Sequence, residues 1–358
     1  MSDDVYRKLA QVLDTLPSGF PAADGLEIKI LKKIFRSEEA ELFCDLKVTF
    51  ETPAQIAQRT GRPLKQLEED LTSMWKRGLL FGADLGHIKV FKMIPWVIGI
   101  WEMQLNRLDR ELAEMCEEYN RVFGPQFVKF KPQIMRVIPI EKEIPVKQEA
   151  LSYNQVSSII ENSKSFAVAD CICRKEQGLL DKECAKPKET CLGLAPLPGV
   201  FDNYPWGRPI SKEEAYGVLQ KAEEAGLVHL TSNVQSGHFF ICNCCGCCCG
   251  VLRGVNEMGI PHVVNSHYYA EIDPDLCAAC GTCKEERCQV RAIEEGDEAY
   301  RVIREKCIGC GLCVTTCPTE AIHLIHKQQE ELVPPVKDDM DWMEQRARER
   351  GVDFSAYK

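Results

Sequence analysis

Apolar positions recur at helical spacing through the first part of the chain. Ile28, Leu31, Ile34 and Phe35 predict one helix, and Leu42 and Phe43 mark a short second one. Thr52 ahead of Pro53 is a start signal for a helix carrying Ile56 and Ala57, which Gly61 stops. Leu64, Leu67, Leu71 and Met74 form the apolar stripe of the next helix, from Pro63 to Arg77. Residues 79–81 and 88–91 then read as two short strands around a glycine-containing turn. Trp101, Leu105, Leu108, Leu112, Met115 and Tyr119 predict an amphipathic helix of about twenty residues, with Glu102, Arg107, Arg110, Glu111, Glu114 and Glu118 opposite.

Prolines and alternating charge from Phe123 to Glu149 predict an extended linker around a short apolar stretch, Met135 to Ile140. Periodicity resumes with a helix at Tyr153, Val156, Ile159 and Ile160 and a strand at Phe166 to Ala169. Ser211 and Glu214 make a capping box for a helix with Ala215, Val218, Leu219 and Ala222, ended by Gly226. Strands at Val228 to Leu230 and His238 to Ile241 follow, and a short helix begins near Gly250. The expected architecture is a multidomain α+β chain. Its parts are residues 1–95, a helix and linker over 96–150, a cysteine-rich α+β domain over 151–270, a second cysteine-rich domain over 271–328, and a tail over 329–358. In the tail Val333, Pro334 and Pro335 are a spacer, and Met340, Trp342 and Met343 anchor a short helix on the body or on another subunit.

The three helices and hairpin of residues 1–95 resemble a winged-helix domain. In DNA-binding members the helix from Pro63 to Arg77 would enter the major groove, and here it carries Glu68, Glu69 and Asp70, which would face phosphates. With 44 basic and 54 acidic residues and a net charge of -10, the chain lacks the basic excess that duplex binding uses. A protein-docking or structural role is therefore expected, with homo-oligomerisation through the N-terminal region as one form of it. No run approaches the roughly 18 apolar residues of a membrane span, and the polar, acidic amino terminus argues against secretion.

Cysteine changes the picture most. The chain has 20, at metal-ligand spacings rather than in a small secreted scaffold, which points to a reducing, cytoplasmic setting. Cys277, Cys280, Cys283 and Cys288 form one run; Cys307, Cys310, Cys313 and Cys317 form a second, closed by Pro318. Residues 270–326 resemble the two-cluster bacterial ferredoxins. That resemblance implies two [4Fe-4S] clusters, the fourth cysteine of each run serving the other run's cluster. It assigns Cys277, Cys280, Cys283 and Cys317 to one cluster and Cys307, Cys310, Cys313 and Cys288 to the other. The chain departs from the pattern in the first run, where four residues separate Cys283 from Cys288 and Gln289 stands in place of proline.

Ten more cysteines occupy the middle domain. Cys171, Cys173, Cys184 and Cys191 follow the Phe166 strand, and Cys242, Cys244, Cys245, Cys247, Cys248 and Cys249 fill most of eight consecutive positions. Such density has no packing explanation, and free neighbouring thiols oxidise readily. Ten thiols suffice for two further four-iron clusters. The expected division is that Cys171, Cys173, Cys184 and Cys191 supply most of one site and the later run most of the other. Arg174, Arg253 and the start of the helix near Gly250 are candidates to stabilise cluster thiolates. His262 and His267 are packing or hydrogen-bonding residues before ligands, and Cys44 and Cys116 are core thiols. The Cys244–Cys245–Gly246 tripeptide is weakly similar to the doublet of heterodisulfide-reductase-like enzymes.

These features imply an electron-transfer protein with four [4Fe-4S] clusters, working with a redox donor and acceptor in an anaerobic oxidoreductase complex. Two other classes are open: a redox-responsive regulator reading nucleic acid through the winged helix, and an enzyme with a substrate-binding open or non-cubane cluster. Acidic residues around the first run, Glu285, Glu286, Glu294, Glu295, Asp297 and Glu298, would attract a basic redox partner.

Overall fold

The computed structural model describes residues 2–144, 152–259 and 263–358. It is a mixed α+β, multidomain architecture. An opening helix α1 (Ser2–Thr15) precedes the predicted elements α2 (Leu26–Ile34), α3 (Ser37–Phe43), α4 (Pro53–Thr60) and α5 (Leu64–Lys76). Thr52 caps α4 by accepting from the Gln55 amide, and Gly61 ends it at a φ of 73°. Strands β1 (Phe81–Asp84) and β2 (Lys89–Lys92) form an antiparallel hairpin. Leu9, Leu13, Ile30, Ile34, Phe43, Leu71 and Met74 share one core.

The connector differs from its prediction. Its long helix, α6 (Arg110–Lys129), starts where the Asp109 carboxylate accepts from the Leu112 amide. Residues 96–104 instead form two tight turns, and Val97, Ile98 and Gly99 leave helical geometry. Glu102, expected on the solvated face, is drawn inward and accepts from the Gly99 amide at 2.8 Å. The helix continues through Pro125 into the predicted linker. The apolar stretch beyond it is a strand, β3 (Met135–Val137), of the central sheet. The linker from residue 145 onward lies outside the described residues up to 151.

That sheet gathers the middle domain: α7 (Val156–Glu161), β4 (Ser165–Asp170), α8 (Ile172–Leu179), β5 (Glu189–Ala195), β6 (Arg208–Ile210), α9 (Lys212–Glu224), β7 (Val228–Ser232), β8 (Phe240–Cys244), α10 (Gly250–Met258) and β9 (Val264–Asn265). Its strand order is β6-β4-β5-β8-β7-β3-β9, antiparallel except for the β3–β9 pair. Ile159, Phe166, Val168, Leu192, Leu194, Leu219 and Ile241 pack between sheet and helices.

The last region holds β10 (Tyr268–Ile272), β11 (Ile293–Glu295), β12 (Tyr300–Val302) and β13 (Ile322–His326), paired as β10–β13 and β11–β12. The tail helix α11 (Asp339–Arg350) returns to the body of its own chain. Trp342 donates to the Gln133 carbonyl at 2.9 Å, and the buried Arg346 donates to the carbonyls of Pro17, Phe127, Phe130 and Pro132. No helix among the described residues is long and apolar enough to cross a membrane.

Candidate metal centres

The antiparallel β10–β13 pair closes a loop-rich unit in which the two cysteine runs interleave. Cys277, Cys280, Cys283 and Cys317 line one cavity together with Ile272, Tyr300 and Ile322. Cys288, Cys307, Cys310 and Cys313 line a second with Val290, Ile293 and Ile308. Each cavity thus takes three thiols from one run and one from the other. Backbone amides of Ala270 and Ala292 reach the Cys307 and Cys288 sulfurs at 3.3 and 3.1 Å. Gly309 sits at a φ of +62°, and a Cβ there would lie 2.1 Å from the Tyr268 carbonyl, so only glycine lets this loop close on β10. Burial pushes the Cys310 thiol up to about 12 and raises Cys313 as well. Buried thiols raised in this way need a bound cation to become thiolate, and the donor set of four cysteines fits a four-iron cluster.

In the middle domain the sheet register does the gathering. Cys191 on β5 lies opposite Ala169 on β4, and Leu192 pairs with Ile241 on β8, so Cys171, Cys191 and Cys242 meet at one end of three adjacent strands. Cys171 is also the N-cap of α8, and Cys249 is the N-cap of α10. The Arg174 amide bonds the Cys171 sulfur, and the Val251 and Leu252 amides bond that of Cys249. Six sulfurs form one hydrogen-bonded chain. Cys171, Cys173, Cys249, Cys244, Cys242 and Cys191 follow one another along it. Cys191, then Cys244, hold the Cys242 thiol down at about 5, and Cys249 is lowered foremost by Cys173.

The other four form a separate candidate metal site. Cys184, Cys245, Cys247 and Cys248 have all four Sγ atoms within 4.8 Å of one another. Cys184 is 3.9 Å from Cys245 and 3.5 Å from Cys247, and Cys247 is 3.6 Å from Cys248. The division expected from the sequence is therefore corrected. Cys184, in the loop between α8 and β5, leaves its segment and joins the turn after β8, whereas Cys242, Cys244 and Cys249 join Cys171, Cys173 and Cys191.

Arg174 stands between the two sets. It is 1% exposed, its Nη1 lies 3.7 Å from Cys245 Sγ, and its guanidinium donates to the Asn243 carbonyl at 3.1 and 3.2 Å and to the Thr190 hydroxyl. Hydrogen bonds from Cys248 first, with Cys247 and Arg174 adding to them, hold Cys245 down at about 4. Arg253 does not take the thiolate role expected of it. It forms a bidentate pair with Glu117 at 2.7 and 2.9 Å, pinning α10 to α6. His267 bonds Asn154 and the Val333 carbonyl, and His262 lies outside the described residues. Burial raises the Cys44 thiol to about 11 and lifts Cys116 further, as core positions should.

Two features escaped the sequence reading. Asn243 sits between two site cysteines, bonds His229 and the Thr190 carbonyl, and offers its own carbonyl to Arg174. Its signal was a polar residue inside an apolar strand. The second is the junction made by Gln289. Its side-chain oxygen accepts from the Gly246 amide at 3.0 Å, and Asn256 donates to the Gln289 and Gly246 carbonyls at 3.0 and 3.2 Å. The residue that departs from the ferredoxin pattern thus joins the loop after Cys288 to the turn between Cys245 and Cys247. Arg287 reinforces the contact by donating to the Glu223, Glu224 and Leu312 carbonyls.

Residues 270–324 match a family model described as a 4Fe-4S dicluster domain. An uncharacterized ferredoxin of Methanocaldococcus jannaschii is 35% identical over 85 residues, which are 23% of this chain and 49% of that protein. A ferredoxin of Alicyclobacillus acidocaldarius is 39% identical over 59 residues, 16% of this chain and 67% of the relative. A 7Fe ferredoxin of Hydrogenibacillus schlegelii is 33% identical over 66 residues, 18% of this chain and 77% of the relative. The chain thus spans about half the length of the first relative and most of the other two. No solved structure matches it.

Proposed function

This chain belongs to the ferredoxin family through residues 270–324, and from that premise we propose that it relays single electrons between redox partners through three iron-sulfur centres. Two are [4Fe-4S] clusters, held by Cys277, Cys280, Cys283 and Cys317 and by Cys288, Cys307, Cys310 and Cys313. The third is an iron-sulfur centre held within the six-cysteine group of the middle domain. Such clusters supply one-electron chemistry without bond making in a substrate. The polypeptide contributes spacing, burial and hydrogen bonds to sulfur.

The observation that carries this reading is the Gln289–Gly246 junction, which sets the Cys288 loop directly against the Cys245–Cys249 turn. It supports an order for the relay. The set containing the exposed Cys280 is the outer terminal, the Cys288 set is the inner member, and the middle domain is the far end. Acidic groups beside the outer set, including Glu285, Glu295 and Glu298, suit a basic partner whose association would weaken as salt rises. The N-terminal module, read as a winged helix, serves protein docking within a cytoplasmic oxidoreductase assembly.

Anaerobically purified protein tests this by iron and acid-labile sulfide analysis with stepwise-reduced EPR. The expected result is iron and sulfide in equal amounts, about four of each per cubane, and interacting signals from the ferredoxin pair beside a third signal. Two signals alone, with the six middle-domain thiols freely alkylated, would reduce the protein to a ferredoxin module on a domain of other purpose.

A further inference from the structure

We infer that Cys184, Cys245, Cys247 and Cys248 hold one mononuclear tetrahedral zinc ion, not a four-iron cluster. The argument is one of size. Four sulfurs about 2.3 Å from a tetrahedral ion lie about 3.8 Å from one another. Three of the six sulfur separations here are 3.5, 3.6 and 3.9 Å, and all six are within 4.8 Å. A cubane puts four irons and four sulfides between its ligands and drives them apart. The ferredoxin cysteines provide the internal comparison, because neither of those sets brings three sulfurs to within 4.8 Å of one another. Among the described residues, no other set of three or more cysteine, histidine or carboxylate ligand atoms closes to within 4.8 Å.

The chain geometry suits a structural zinc. Cys245 and Cys248 are separated by two residues, the spacing with which one short turn offers two thiolates to a single ion. The Cys249 amide bonds the Cys245 carbonyl at 3.1 Å and closes that turn. Cys247 comes from its tip and Cys184 from a separate loop, so four protein ligands complete the tetrahedron without an open position. Arg174 supplies an outer hydrogen bond to the Cys245 sulfur at 3.7 Å, as ligand thiolates commonly receive. The ion would clamp the turn whose two flanks, Cys244 and Cys249, belong to the six-cysteine group, and whose Gly246 meets Gln289. It is redox-inert, so it would fix the junction without joining the relay.

The test is metal analysis with zinc K-edge X-ray absorption on the full chain, after iron and sulfide reconstitution. About one zinc per chain with four sulfurs at about 2.3 Å is expected. Cys247→Ser, at an exposed position, and Cys184→Ser should each lose that zinc and leave the iron and sulfide content unchanged. Zinc absent from the wild-type protein, a mononuclear iron in its place, or a loss of about four irons and four sulfides in either variant would overturn the assignment. The wild-type measurement decides the matter even if a variant fails to fold. The ferredoxin EPR signals, recorded on the same samples, report separately on the electron-transfer reading.

Discussion

Arg174 offers the sharpest test of the iron-sulfur centre proposed for the middle domain. Its guanidinium is buried among thiols and carries the positive charge that offsets Cys171, Cys244 and Cys245. At an effective dielectric of about 20, unit charges about 6 Å apart interact by about 2.8 kcal/mol. That is about two tenfold steps in an equilibrium, or about 120 mV for a one-electron couple at about 59 mV per step. The sign follows from charge: reduction adds an electron, a nearby cation favours it, and removing the cation lowers the potential. Arg174→Gln should therefore shift the middle-domain midpoint by roughly 100 mV to the negative, leaving the ferredoxin signals where they are. Arg174→Lys keeps the charge, although it cannot reproduce the fork on the Asn243 carbonyl, and should restore most of the potential. EPR-monitored redox titration of the three proteins is the assay. A shift below about 20 mV, or an equal shift in every signal, would refute the argument.

The ligand crossing makes its own prediction: Cys288→Ser should abolish the same EPR signal as Cys307→Ser, whereas Cys317→Ser should remove the one lost in Cys277→Ser. Gly246→Ala would place a Cβ 2.0 Å from the Gln289 carbonyl, backbone against backbone, and should weaken the junction by about 1–3 kcal/mol. Hydrogen exchange at the Cys245–Cys249 turn and the Cys288 loop would show it, and unchanged protection at both would contradict it. Burial pushes His267 down to about 4, against about 6.5 in an unfolded chain. The unfolded state then takes up the proton first as pH falls, so stability is complete above about pH 6.5 and is lost toward pH 4. About 1.6 kcal/mol should go between pH 6.5 and 5, and His267→Gln should flatten that limb of the urea-midpoint profile.

Local patterns in the sequence carried the local elements. Helices α2 to α5, α7 and α9, and strands β4, β7 and β8, follow from apolar spacing with their caps. Failures came where a contact distant in sequence decided the outcome. The Tyr6, Leu9, Val12 and Leu13 stripe of α1 was present, but its acidic flank hid it until burial against α2 and α3 made it a core face. Trp101 and Leu105 continue the apolar period of α6, yet Asp109 starts the helix after them because its carboxylate caps the Leu112 amide. Met135–Val137 reads as linker alone and becomes a strand only because β7 and β9, far along the chain, flank it.

The cysteine groupings follow the same logic more severely. In the ferredoxin unit, the resemblance to two-cluster ferredoxins implies which thiols group together, and the same sets line the two cavities. In the middle domain, conformation sorts the run from Cys242 to Cys249. Cys242 and Cys244 are two apart on β8 and so face the same side, toward Cys191 and Cys171. The turn then carries Cys245, Cys247 and Cys248 away toward Cys184, and the start of α10 brings Cys249 back. Strand and helix-cap positions go to one site, and turn positions to the other. The adjacent pairs Cys244–Cys245 and Cys248–Cys249 are therefore divided between the two groups, and only the register of β4, β5 and β8 supplies their partners. Deleting Gly246 would advance Cys247 and Cys248 by one place against that fixed strand, so it should disrupt the four-cysteine site while sparing Cys242 and Cys244.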